Sequence, residues 1–304
     1  MNISGPLYFA TKKVGKAIWD FKMLTEGDKV IIAVSGGKDS LCLLKIMEER
    51  AKFVPIHCEM VACFVDMGFS WIDKNILIKH FEEASIPYII AKAPDQWKGE
   101  GDNFGCFWCS WNRRKALFDL AHEIKANKIA FAHHMDDIIE TMLLNLFFQG
   151  EIGTMQPCQE MFDGELDIIR PLAYVEEAEL LHLSKILELP VISSQCPHGN
   201  TSKRKLVKGI IEDLKGHNKN VKKNIFRSLS RIREEYLLGN KRSQVAGGKS
   251  QVTGHRLQAE TKEGSGEIDE KKREEESGGS RLQVAGCNGK REEGIGNAKR
   301  ASRN

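Results

Sequence analysis

Three clusters in this 304-residue sequence combine residue types that do chemistry. The first is Ser35-Gly36-Gly37-Lys38-Asp39-Ser40. Adjacent glycines let a backbone turn tightly and approach a ligand closely. Loop amides that open a helix then present donors and partial positive charge to phosphate oxygens, and Lys38 adds a full charge. The spacing differs from the G-x-x-x-x-G-K loop, followed by Ser or Thr, that cradles a transferable γ-phosphate. An ordinary glycine turn is the plain alternative. A buried strand before the motif and a helix after it favour the phosphate loop.

The second cluster is Cys106-Phe107-Trp108-Cys109, a C-x-x-C at a loop-to-helix junction. Cys196 supplies a third thiol farther on, and His198 follows it. Three cysteines and a histidine suit structural zinc. Three thiolates on a 4Fe–4S cluster would instead leave one iron without a protein ligand, able to hold a sulfide for transfer. Spacing alone leaves zinc, a redox pair and the cluster open. Cys42, Cys58 and Cys63 lie in apolar or helical contexts and read as small core residues. Cys158 reads as part of a polar loop, and Cys287 lies in the tail.

The third cluster, His133-His134-Met135-Asp136-Asp137, opens a helix. Asp136 suits the helix cap, and acidic residues in a first turn suit the dipole. A carboxylate here, Asp137 above all, can hold Mg²⁺ bound to pyrophosphate. The two histidines can contact phosphate or a base. Arg113, Arg114 and Lys115 follow the C-x-x-C, and Arg170 precedes Pro171. Such residues usually form a solvated face, but beside a thiolate site they can hold RNA phosphates. Phe107, Trp108 and Trp111 are the candidates for base stacking.

The elements that position these residues alternate in type. Short apolar runs at 30–34, 60–65, 88–91, 128–132 and 168–169 read as strands. Helical patterns fill 7–23, 41–50, 72–84, 108–126, the stretch from the His-Asp cluster through Phe148, and 176–187. This pattern predicts an α/β fold, a doubly wound, mostly parallel five-stranded sheet. Ligands bind such sheets beyond the carboxyl ends of the strands. Ser35 to Ser40, Asp66 and His133 to Asp137 all fall there.

Composition divides the chain. Residues 1–202 carry the three clusters. Residues 203–238 read as one or two basic helices, with 11 Lys and Arg against 4 Asp and Glu. Residues 239–304 contain no Phe, Trp or Tyr and read as a disordered tail with no role in catalysis. That tail holds 14 basic and 10 acidic residues, leaving 31 against 32 in the rest. Any nucleic-acid surface is therefore a local patch, and the 203–238 helices are the candidate. No apolar run approaches the ~20 residues that span a bilayer. No signal peptide is expected, and the unpaired cysteine spacing suits a reducing, cytoplasmic setting.

The Ser35–Ser40 loop resembles the PP-loop of ATP pyrophosphatases, which cleave ATP between its α and β phosphates. With it, Ala17-Ile18-Trp19-Asp20-Phe21, the C-x-x-C followed by Arg113-Arg114, His134-x-Asp136-Asp137, Ile169-Arg170-Pro171-Leu172-Ala173-Tyr174 and Cys196 match a narrower family. From about Tyr8 to Ile211 the chain resembles the tRNA 2-thiocytidine synthetases. The resemblance implies ATP, Mg²⁺ and a 4Fe–4S cluster on Cys106, Cys109 and Cys196. It implies Ser35, Gly36, Gly37, Lys38, Asp39, Ser40, Asp66 and His134 as nucleotide-site residues, and Lys38 and Asp137 as catalytic ones. The implied reaction adenylates the C2 carbonyl of an anticodon-loop cytidine, cytidine 32, and replaces its oxygen with sulfur. The implied partners are tRNA and a cysteine desulfurase, with a homodimer as a further expectation. Two departures stand out: Ser193 occupies a position where the family often has a second cysteine, and the stretch 153–158 is altered. Another RNA base or a small molecule as acceptor, or nucleotide and metal binding without thiolation, are the rival readings.

Overall fold

In a computed structural model of the protein, the first strand, β1 (Lys29–Val34), is covered on both faces. Val30, Ile32 and Val34 join one apolar cluster and Ile31 another. Successive strand side chains point to opposite faces, so an unbroken apolar run demands a packed layer on each side. The structure describes residues 5–54, 56–69, 72–84, 86–93, 106–192, 202–237 and 284–285.

After α1 (Gly5–Asp20) and β1 come α2 (Lys38–Ala51), β2 (Glu59–Asp66), α3 (Lys74–Glu83) and β3 (Tyr88–Lys92). Next are α4 (Cys106–Ile124), β4 (Lys128–Ala130), α5 (Met135–Phe148), β5 (Cys158–Met161), β6 (Leu166–Ile169) and α6 (Glu177–Ile186). Two helices, α7 (Ser202–His217) and α8 (Val221–Ser228), and a two-residue strand β7 (Val284–Ala285) complete the described set. The strand order is β5-β6-β4-β1-β2-β3-β7. β1 is parallel to both β2 and β4, β2 to β3, and β4 to β6. The order reverses between β1 and β4, so the loops after these two strands diverge and leave a crevice.

One layer packs α1, α2, α3 and α6 on the sheet through Val14, Leu43, Ile46, Leu77, Phe81 and Leu180. The other packs α4 through Leu117, Leu120 and Ala121 against Ile31, Cys63 and Val65. A third cluster joins α5 to α7: Met135, Ile139 and Leu143 meet Val207 and Ile211, with Ile225 and Phe226 of α8 beside them. At the strands' amino ends, the buried Asp28 accepts hydrogen bonds from the Thr25 amide and Asn127, fixing the starts of β1 and β4.

The parallel α/β class agrees with the sequence reading, but the described sheet has seven strands rather than five. β5 pairs antiparallel with β6 across a tight turn at Phe162–Gly164. Its Cys-Gln-Glu-Met lacks an apolar alternation, so the sequence reads as polar loop. β7 pairs antiparallel with β3, Tyr88 opposite Ala285 and Ile89 opposite Val284. These two residues lie inside the stretch read as a disordered tail; the rest of 239–304 lies outside the described residues. Residues 230–281 form a separate compact unit, whose described part contains a short 3-10 turn at Glu234–Tyr236. No described helix is long and apolar enough to cross a membrane.

Candidate active site

The loop after β1 is held open by its own side chains. Gly36 sits at φ +84°, a left-handed backbone that a side chain disfavours. A Cβ there would also lie 3.2 Å from Ile192 Cδ1, and the Ile192 amide donates to Gly36 O at 3.0 Å. The Ser35 amide donates to Ser40 Oγ (3.1 Å), and the Ser40 hydroxyl donates to Gly37 O (2.8 Å). These contacts fold Ser35–Gly37 over the start of α2. The first amides of that helix, which have no partner within it, therefore point into the crevice.

Lys38 and Asp39 stand in the first turn of α2. Lys38 Nζ contacts both Asp39 oxygens at 3.0 Å and Glu177 Oε1 at 3.2 Å. Burial works against the Lys38 charge, but these carboxylates outweigh it and raise the pKa. Lys38 is thus a firm cation next to the loop, and an incoming phosphate must compete with Asp39 and Glu177 for it.

β4 delivers His133 and His134. His134 is 4% exposed, and its Nε2 lies 3.4 Å from Asp137 Oδ2 and 3.9 Å from Asp39 Oδ1. Its Nδ1 is buried without a hydrogen-bond partner, 3.8 Å from Asp136 Oδ2. Asp137, not Asp136, accepts the His134 amide (3.1 Å) at the start of α5. Asp136 turns away from the cap. It accepts the Glu177 amide at 2.8 Å and is bonded by Lys222 of α8. The capping role read for Asp136 therefore passes to its neighbour, because the Asp136 carboxylate is drawn to the α6 start and a buried ammonium.

His133 sits on the other side. Arg170 Nε donates to its Nδ1 at 3.3 Å. Burial, then the Arg170 and Arg114 charges, lower the His133 pKa to about 4. Arg170 is itself 4% exposed and donates to Gln156 O and to Gln159 Oε1 (3.4 Å). Burial, followed by repulsion from Arg114, brings its pKa down to about 10.

These parts enclose a cavity of about 450 Å³ lined by Ser35, Gly37, Asp39, Ser40, Cys109, Arg113, Arg114, His133 and Asp137. That volume suits a small-molecule site. A larger, mostly apolar cavity of about 930 Å³ lies at the strands' amino ends, by Trp19, Thr25 and His57. It contains none of the residues above, and the chemistry belongs to the smaller one.

Ser35, Gly37, Asp39, Ser40, Cys109 and Asp137 thus meet around one space, with Gly36, Lys38 and His134 adjoining it. Asp66 does not line it: β2 contributes Cys63, Phe64 and Val65, while Asp66 accepts from the Gly68 amide and Lys74. Cys106 begins α4, three residues before Cys109. Cys196 and His198 lie outside the described residues. Among the described residues, no three His, Cys, Asp or Glu side chains are grouped to hold a metal ion. Cys42 and Cys63 are buried, which pushes both thiols up to about 12, as core residues require. Cys158 lies in β5, its thiol also raised, by burial and then Asp167.

The sequence reading missed an acidic rim with its counter-charges. Glu140 of α5 is 2% exposed, and burial raises its pKa against the pull of Lys208 and Arg204. Arg204 lies 3.3 Å from Glu140 and 3.6 Å from Asp137; Lys208 lies 3.1 Å from Glu177 and 3.6 Å from Glu140. Glu177 is opposed by burial, but the hydrogen bonds of Lys208 and Lys38 lower its pKa to about 2. Arg204, Lys208 and Lys222 therefore pair with the site's carboxylates, Lys222 largely buried and the other two at the solvent edge. Part of the basic 203–238 stretch is internal neutralisation. The acid at position 140 on an otherwise apolar helix, one turn from Asp136, was the available signal.

Residues 10–208 match the family model for the PP-loop domain. A tRNA-cytidine(32) 2-sulfurtransferase of Citrifermentans bemidjiense is 37% identical over 74% of this chain and 91% of its own. The one of Geobacter sulfurreducens is 34% identical over 74% and 90%. Among solved structures, the U34-tRNA thiolase NcsA from Methanococcus maripaludis, with its 4Fe–4S cluster, is 26% identical. It superposes with a TM-score of 0.63 over 74% of this chain and 78% of its own.

Proposed function

The chain belongs to the PP-loop family, among the tRNA-cytidine(32) 2-sulfurtransferases, and on that premise we propose that it thiolates cytidine 32 of tRNA in an ATP-dependent reaction. The cytidine O2 attacks the α-phosphorus of ATP, the α–β anhydride breaks, and pyrophosphate leaves. Sulfur then bonds to C2, and the C2–O2 bond breaks to release AMP. The observation that carries this reading is that Cys109 lines the same cavity as the phosphate loop.

The amides that open α2 bind and orient the phosphates, and Lys38 stabilises charge that develops on them. Arg113 and Arg114 add positive charge on the α4 wall of the cavity. Asp39 and Asp137 offer the hard oxygen ligands that Mg²⁺ takes alongside phosphate. His134 turns Nε2 toward these two carboxylates and keeps a buried, unpartnered Nδ1 on its other side, near Asp136.

Cys106, Cys109 and Cys196 would hold a 4Fe–4S cluster, which would supply the sulfur-carrying chemistry of the second step. One of these thiols, Cys109, already borders the cavity. A cysteine desulfurase is the sulfur source in this reading, the setting is cytoplasmic, and outward lysines of α7 and α8 contact tRNA. A cytidine acceptor is favoured over uridine because the cytidine-32 enzymes are 34–37% identical and the U34 thiolase 26%.

The test uses protein purified without oxygen, wild type and Cys196→Ala. Iron and sulfide counts, EPR and tRNA thiolation with ATP are measured. About four irons per chain, lost with thiolation in the variant, is the expected result. Zinc without iron in protein that never met oxygen overturns the cluster reading.

A further inference from the structure

Arg170 is a buried guanidinium with no carboxylate partner among the described residues. Its acceptors are a backbone carbonyl, an amide oxygen and an imidazole nitrogen. A buried charge left without an opposite charge is expensive, and most such groups are paired. This one is spent partly on His133, through Nε to Nδ1 at 3.3 Å. Because a guanidinium only donates, Nδ1 must be the unprotonated nitrogen. The neutral ring then carries its proton on Nε2. His133 lines the cavity shared by Ser35, Asp39 and Cys109, and Nε2 has no hydrogen-bond partner among the described residues.

We infer that Arg170 is a positioning residue that fixes the His133 proton on Nε2 and thereby gives the cavity a neutral hydrogen-bond donor for the α-phosphoryl oxygens. The inference rests on the proposed adenylation, because that group gains the cytidine oxygen in the first step and carries negative charge away in the second. A neutral donor suits this place. It stabilises charge on the phosphoryl group without handing a proton to the sulfur nucleophile that must attack C2. The second guanidinium nearby, Arg114, works in the same direction by keeping the ring uncharged. The arrangement follows a general rule that the partner of one imidazole nitrogen decides what the other presents.

The amide nitrogen of glutamine stands where Nε2 does, and that of asparagine where Nδ1 does, so His133→Gln and His133→Asn separate the two nitrogens. In single-turnover pyrophosphate release at saturating ATP and tRNA, His133→Gln is expected to stay within roughly fivefold of wild type. His133→Asn is expected to fall on the order of 100-fold, the size of a lost transition-state donor. Arg170→Gln should fall by a similar factor with ATP affinity unchanged. The double variant Arg170→Gln/His133→Asn should be no slower than either single, because both remove one function. Long-range ¹⁵N–¹H spectra of the imidazole report the tautomer directly: Nδ1 unprotonated in the wild type, mixed in Arg170→Gln. Equal rates for the Gln and Asn variants, additive losses in the double variant, or a wild-type spectrum with the proton on Nδ1 overturns the inference. If Arg170→Gln does not fold, as a melting curve shows, the His133 pair and the wild-type spectrum still decide. A wild type that releases neither pyrophosphate nor AMP sinks the adenylation reading instead, and leaves the spectrum to judge the tautomer.

Discussion

Lys222→Met removes the ammonium that neutralises Asp136 across the α5–α8 contact. The two side chains are 6% and 12% exposed, so water cannot take the place of the lost partner. Asp136 keeps the Glu177 amide but nothing else of positive character at bonding distance. Removing one member of a buried pair costs about 3–5 kcal/mol, and the retained amide bond sets the expectation at about 3. For a folded unit of this size each kcal/mol moves the melting point by about 2–4 °C, so the variant should melt about 6–12 °C lower. Urea titrations followed by circular dichroism should show the midpoint moving with an unchanged slope. The double variant Lys222→Met/Asp136→Asn leaves two neutral groups and retains an acceptor for the Glu177 amide, so it should recover to within about 1 kcal/mol of wild type. A loss below about 0.5 kcal/mol in the single variant, the size seen at exposed pairs, would refute the buried clamp. So would a double variant as unstable as the single.

Gly36→Ala should cost about 1–2 kcal/mol for its left-handed backbone and more for displacing Ile192, with calorimetric ATP affinity falling alongside. Glu177 has a folded pKa of about 2, below its ordinary 4.5. Its contribution is therefore full above the ordinary value and fades as pH falls through about 2, so the stability gap between wild type and Glu177→Gln should hold at pH 6 and close on acidification. A gap that is constant with pH counts against the Lys38–Glu177–Lys208 clamp. Lys205, Lys219 and Lys223 are exposed and carry no ion pair among the described residues. Replacing all three with alanine should flatten the dependence of log tRNA affinity on log salt by roughly 2–3, about one per phosphate contact. An unchanged slope places the RNA elsewhere.

What the sequence made legible was whatever is local in the chain. β1, the Ser35–Ser40 loop and α2 follow one another without a gap, so a buried apolar run, two glycines and a helical pattern identify themselves together. The same holds for β4 and His133–Asp137. β5 escaped because an edge strand closed by a tight turn carries no apolar alternation. Asp136 and Asp137 are identical neighbours at a helix start, and only the positions of Glu177 and Lys222 decide which one caps. Those partners lie 41 and 86 residues away. Arg204 and Lys208 read as solvated basic residues for the same reason: Glu140 and Glu177, which claim them, belong to other elements. Asp66 was placed correctly at the end of its strand, but Lys74 and the Gly68 amide bind it there. Charge pairing across the fold has no periodicity to read.

The acidic rim closed by α7 and α8 also bears on how the protein is made. Asp136 leaves the ribosome 86 residues ahead of Lys222. At about 5–20 residues per second, that separation is roughly 4–17 s of synthesis. Until then Asp136 lacks Lys222, and for most of that interval Asp137 and Glu140 also lack Arg204 and Lys208, so burying α5 would leave its charges uncompensated. The nascent chain can assemble β1 to β4 and still lack a settled ATP site. Helices α7 and α8 supply the counter-charges of the acidic rim, so a product truncated before them should be inert rather than an ATP-consuming fragment.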